Sequence, residues 1–147
     1  YLLQKKFLSL MGLKNDKIAN NAWNHVMKCN HNFTKSLYKN KEVLNLLKTI
    51  VRKFEKSARD LNLKPIFLMI PYLEDLNKSD NNSLYYADFI NEIKNNVTTI
   101  DLGEIFIKKG NVNDLYVSDS IGAHLNKLGN KIVADSIKDI LTREAVV

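Results

Sequence analysis

Cysteine occurs once in this chain, as Cys29, so no intrachain disulfide can staple the fold and stability must come from a packed interior. Proline occurs twice, and Pro65 and Pro71 bracket a single apolar run, Ile66-Phe-Leu-Met-Ile70. No apolar stretch approaches the ~18 residues that a membrane-spanning helix needs, and no membrane segment is expected. No internal repeat or low-complexity linker divides the chain, so residues 1–147 read as one domain. Dense basic patches are missing too. The formal charge is +6, but the lysines are scattered singly, adjacent basic residues never exceed two, and arginines occur only at 52, 59 and 143. That is the pattern of a solvated surface rather than a phosphate-binding stripe, and no nucleic-acid partner is expected.

What is present is the composition of an ordinary globular domain, 45% hydrophobic and 26% charged over 147 residues, enough to bury one core. Residues 1–11 form a short apolar-basic segment of helical character ending at Gly12. From Asp16 to about His31, Ile18, Ala22, Val26 and Cys29 recur at helical spacing, and Asn30-His-Asn-Phe-Thr34 reads as the break that follows. A stronger helix runs from Lys41 to Leu61, with Leu44, Leu47, Val51, Phe54, Ala58 and Leu61 on one stripe.

The apolar run after Pro65 lacks alternation, which predicts a strand buried on both faces of a parallel sheet. Tyr72 to Asn82 reads as a polar loop, with Asp80-Asn-Asn-Ser83 capping a helix over Leu84–Asn95. Val97-Thr-Thr-Ile-Asp101, rich in β-branched residues, is the second strand. A short helix or turn over Gly103–Lys109 follows, and a last helix over Asn126–Thr142 is expected to bury Leu128, Ile132, Val133, Ile137, Ile140 and Leu141. The order is that of an α/β layered domain with right-handed crossovers. Two strands do not make a stable sheet. The edge therefore needs further strands from a segment upstream or a partner chain.

In such domains functional groups gather at the carboxyl ends of strands, which singles out Pro71–Asp75, Asp101–Glu104 and Asp119–His124. Only the third combines a carboxylate and a histidine in one short loop. The turn through Gly122 lets Asp119 accept the imidazole Nδ1 proton and leaves Nε2 of His124 as a general base.

The stretch from Val117-Ser-Asp119 through Gly122-Ala-His124-Leu-Asn126, Gly129-Asn130 and Val133-Ala134 resembles the C-terminal block of the SGNH (GDSL-like) hydrolases. The resemblance extends over residues 41–141, including Lys64–Pro71 and Thr99–Leu102. It implies a three-layer flavodoxin-like sheet, incomplete at its N-terminal side. It also implies a serine esterase or acyl hydrolase acting on a small-molecule or carbohydrate ester, with Asp119 as orienting acid and His124 as general base. Asn126 would start the last helix, and Gly129 and Ala134 would be small positions where it packs closely. No metal or organic cofactor is implied.

The family's Gly-Asp-Ser block and its oxyanion-hole residues have no counterpart here, and none of the eight serines has that context. Ser118 and Ser120, beside Asp119, read as turn residues. The chain then carries the base while a missing segment carries the nucleophile.

A non-catalytic binding or docking module of the same fold is the alternative. His25, Cys29 and His31 have the chemistry of soft-metal ligands, but lack a fourth member, and no metal site is expected. Asn32-Phe-Thr34 and Asn96-Val-Thr98 match glycosylation acceptors in a chain whose asparagine content produces such matches readily. Nothing in the sequence fixes a compartment.

Overall fold

The computed structural model describes residues 15–79, 83–117 and 124–145. The expected segment 1–11 and the cap at 80–82 lie outside these residues. The protein is mixed α/β, mostly helical, with a small parallel sheet of two strands. In chain order the elements are α1 (Asn15–Leu37), α2 (Lys41–Asp60), β1 (Ile66–Met69), α3 (Leu73–Asn77), α4 (Ala87–Ile93), β2 (Thr98–Asp101), α5 (Leu102–Lys109), a 3-10 turn (Val112–Leu115) and α6 (Lys127–Ala145). Among the described residues no helix is long and apolar enough to cross a membrane.

Both strands form where the sequence predicts them. They pair in parallel, with Ile66 opposite Thr98 and Met69 opposite Asp101. The side chains of β1 are only half-buried rather than enclosed on both faces. The core lies around β2 and the helices beside it, where Tyr86, Phe89, Leu102 and Phe106 are fully enclosed. Tyr38 and Phe67 meet Phe89 edge-on at 5.8 and 5.9 Å, linking α1 and β1 to α4 through aromatic contacts.

Local signals set several helix ends. Asn40 accepts hydrogen bonds from the Glu42 and Val43 amides to start α2. Asn62, at φ 57°, closes it with its own N–H on the Arg59 carbonyl, and Leu63 donates to Ala58. Asp101 ends β2 and at once caps α5 through the Gly103 and Glu104 amides.

The structure corrects four sequence expectations. α1 does not break at residues 30–34 but runs on to Leu37. It meets the rest of the fold through Met27, His31, Thr34 and Tyr38, whereas Ala22, Val26 and Cys29 face solvent. The weak helix propensity of Asn, His and Thr is overridden there by a tertiary contact of His31. In the expected loop Tyr72–Asn82, residues 73–77 form α3. On α2, Phe54 and Leu61 stay exposed because nothing among the described residues covers that flank. On α6, Ile132, Val133, Ile137 and Ile140 pack against the core, but Leu128 and Leu141 do not.

The residues implied by the family resemblance for α6 divide as well. Asn126 starts the helix, accepting from the Leu128 and Gly129 amides at 2.8 and 3.1 Å. Gly129 is buried at a close approach, where an added Cβ would overlap the Leu115 carbonyl oxygen. Ala134 is exposed.

Gly129→Ala is expected to force α6 away from the 3-10 turn and to cost ~1–3 kcal/mol, the usual penalty of overpacking. Urea unfolding of the variant beside the unaltered chain measures this, and equal midpoints would show that the close approach is not made in solution.

Candidate functional site at the carboxyl ends of the strands

The two parallel strands end side by side at Met69 and Asp101, and the chain leaves β1 through Ile70-Pro71-Tyr72 into α3. Tyr72 donates its backbone N–H to Asp75 Oδ2 at 3.2 Å, and the Asp75 N–H returns to the Tyr72 carbonyl at 3.0 Å. This reciprocal cap explains how so short a helix holds together. It also fixes the other carboxylate oxygen, Oδ1, toward α1.

There it meets His31. The Nδ1–H of His31 donates to Asp75 Oδ1 at 2.7 Å across 44 residues of sequence. The two residues are only 6% and 5% exposed. Tyr85 packs edge-on against the imidazole with ring centroids 5.5 Å apart, and Tyr38 and Tyr86 each lie 5.3 Å from Tyr85. Beside this pair a cavity of about 180 Å³ opens between α1 and the end of β1, lined by His31, Thr34, Tyr38, Met69, Asp75 and Tyr85 among others.

Burial and the neighbouring Asp75 carboxylate raise the Tyr38 and Tyr85 hydroxyls above the ordinary tyrosine range. Tyr86 is raised by burial and then by Asp101, to which its hydroxyl donates at 3.3 Å. Burial also raises Asp101, against the amides of Glu104 and Gly103 and the Tyr86 hydroxyl, which favour its ionised form.

The second feature at this end of the sheet is the stem of the loop carrying the expected pair. Tyr116 and Leu125 form an antiparallel bridge. The Val117 N–H donates to the His124 carbonyl at 2.8 Å, and the Asn126 N–H to the Leu115 carbonyl at 2.9 Å. The Asn126 side-chain amide adds bonds to the Asp114 and Tyr116 carbonyls. The buried Tyr116 hydroxyl donates to the Pro71 carbonyl at 2.8 Å, fastening the stem to the end of β1.

His124 stands at the base of this loop and is exposed. Asp119, its expected partner, lies outside the described residues, as do Ser118 and Ser120. His25 and Cys29 face each other on the solvent side of α1 with Nε2 and Sγ 3.6 Å apart. His31 is turned inward and does not join them.

Sequence reasoning thus marked Pro71–Asp75 by its address but gave Asp75 no role, and it read His31 as part of a helix break. A faint signal was available, because Met27, His31, Thr34 and Tyr38 recur at i, i+4, i+7 and i+11. No spacing rule, however, could have joined residues 31 and 75. No protein-family model matches the chain, and no curated protein or solved structure does either. The chemistry of the site rests on its own geometry.

Two outcomes follow. Asp75→Ala leaves the buried His31 N–H without an acceptor and is expected to cost ~2–4 kcal/mol in urea unfolding, whereas Asp75→Asn retains an oxygen and costs less. Equal losses would mean that this bond does not hold α1.

The four raised tyrosines, 38, 85, 86 and 116, set a pH dependence. The folded state keeps protons that the unfolded chain releases near pH 10, so the stability they contribute is complete below about pH 10 and falls as pH rises beyond it. Urea midpoints should decline above that pH and decline less in Tyr85→Phe; a flat profile would contradict the burial of these hydroxyls.

Proposed function

We propose that the chain is part of an SGNH-type ester hydrolase, within a three-layer flavodoxin-like sheet that further strands would complete. His124 is the general base and Asp119 the carboxylate that orients it. The nucleophilic serine and the oxyanion donors come from a further segment or chain. In the reaction His124 Nε2 takes the serine proton as the hydroxyl attacks an ester carbonyl, then returns it to the leaving alcohol, and water releases the acyl group.

The observation that supports this reading most is the clamp under the 117–124 loop. Four hydrogen bonds and the Tyr116–Pro71 tie hold both loop ends at the carboxyl end of a parallel strand. A base needs such a rigid mount in order to stay within reach of a nucleophile. The exposure of His124 fits the role, since the imidazole must be reached by a group from elsewhere.

Ser36 and Ser136 donate their hydroxyls to the Phe33 and Ile132 carbonyls of their own helices.

A docking module of the same fold is favoured by a different observation. On α2, Leu46, Ile50 and Phe54 are 62%, 55% and 54% exposed at successive turns. Lys48, on the opposite flank, forms an ion pair with Glu92 of α4. The apolar stripe therefore lies on the side of α2 away from α4. A run of exposed large apolar side chains along one helix flank is a surface made to be covered.

Hydrolysis of p-nitrophenyl acetate separates the two readings, measured on the chain as given and on the chain extended upstream, each beside His124→Ala. Activity confined to the extended protein, and reduced at least ~100-fold by His124→Ala, is the expected result. An extended protein inactive on a range of short acyl esters would transfer the assignment to the docking module.

A further inference from the structure

The cavity between α1 and the end of β1 contains one feature that the hydrolase reading does not use. His31 Nδ1 is committed to Asp75, and an ionised carboxylate can only accept, so Nδ1 carries the hydrogen. In the neutral ring Nε2 therefore bears the lone pair. Among the described residues Nε2 has no hydrogen-bond partner, although His31 is buried. A buried acceptor without a partner among the described residues is costly and calls for a donor.

The surroundings define that donor. The cavity measures about 180 Å³, slightly more than the roughly 150 Å³ of an apolar cavity that takes up one benzene ring. Its walls include Met27, Met69, Tyr38 and Tyr85, polarisable groups that suit a ring or a short branched chain. Asn30 and Tyr72 stand at its exposed rim and leave a way in.

Charge narrows the class further. Asp75 is engaged by His31 and by the Tyr72 amide, and Glu74 pairs with Lys78, so no free carboxylate among the lining residues awaits a cation. A lone pair on Nε2 repels an anion. We propose that this cavity binds a small neutral molecule with an apolar body of about one ring and a hydroxyl, an alcohol or phenol, whose O–H donates to His31 Nε2. The site stands apart from the hydrolase reading, and its readout is binding rather than turnover.

Long-range proton–nitrogen spectra of the histidine rings in the full chain, at mildly alkaline pH, test it directly. The probes are phenol and cyclohexanol, with toluene as the ring that has no donor. Phenol is expected to shift the His31 Nε2 resonance and to bind about five-fold more tightly than toluene, the effect of one net hydrogen bond. His31→Asn keeps a side-chain N–H for Asp75 but removes the second ring nitrogen, so toluene should still bind while the advantage of phenol disappears.

Thr34→Leu, one turn along α1, leaves the His31–Asp75 bond in place and fills the cavity; both rings should then be excluded. Equal binding of phenol and toluene to the unaltered chain, binding of neither, or phenol binding undiminished in Thr34→Leu would each overturn the proposal. The first and last comparisons remain decisive even if His31→Asn fails to fold.

Discussion

A parallel ladder of four residue pairs, Ile66–Met69 against Thr98–Asp101, holds every polar group of interest in this fold at one address. Parallel strands must both end on the same side, so whatever leaves them is gathered there. From β1 come Pro71 and the reciprocal cap between Tyr72 and Asp75. From β2 comes Asp101, which stops the strand, starts α5 and receives the Tyr86 hydroxyl. The stem of the 117–124 loop reaches the same place through the Tyr116 hydroxyl on the Pro71 carbonyl. So short a ladder cannot do this alone, and side-chain bonds across 44 and 45 residues add the long-range ties that it lacks.

Asp75 and, in the loop stem, Asn126 each combine such a tie with a local task. Asp75 caps α3 with one oxygen and holds His31 with the other. Asn126 starts α6 through its carbonyl oxygen and closes the loop stem through its amide. A side chain held at both ends loses its rotamer freedom once and satisfies two requirements. This keeps the carboxyl end of the sheet ordered despite its polarity. The tyrosines around it fill the remaining space with rings that meet edge-on, and their hydroxyls stay protonated because burial opposes charge.

The opposite situation holds along the outer flank of α2. Leu46 and Ile50 fall outside the stripe that the sequence marked, but Phe54 was not separated from the core face, since it shares the spacing of Leu44, Leu47 and Val51. A helix 20 residues long presents a wider apolar arc than two strands and α4 can cover. The surplus arc is left exposed on the side of the helix away from the Lys48–Glu92 ion pair.

Local chemistry was enough to give the two strands and the alternation of helix and strand, because each depends on neighbours within a few residues. The extension of α1 through residues 30–34 was not legible. Asn, His and Thr favour a break there by their own propensity, and only the bond from His31 to Asp75, in α3, decides otherwise. The same bond turned a histidine grouped by spacing with His25 and Cys29 into a buried partner of a carboxylate. Sequence determined the two strands and the helices with a strong apolar stripe; tertiary structure decided which faces meet and carried α1 through its weak segment, because a contact between residues 31 and 75 has no period in the chain to announce it.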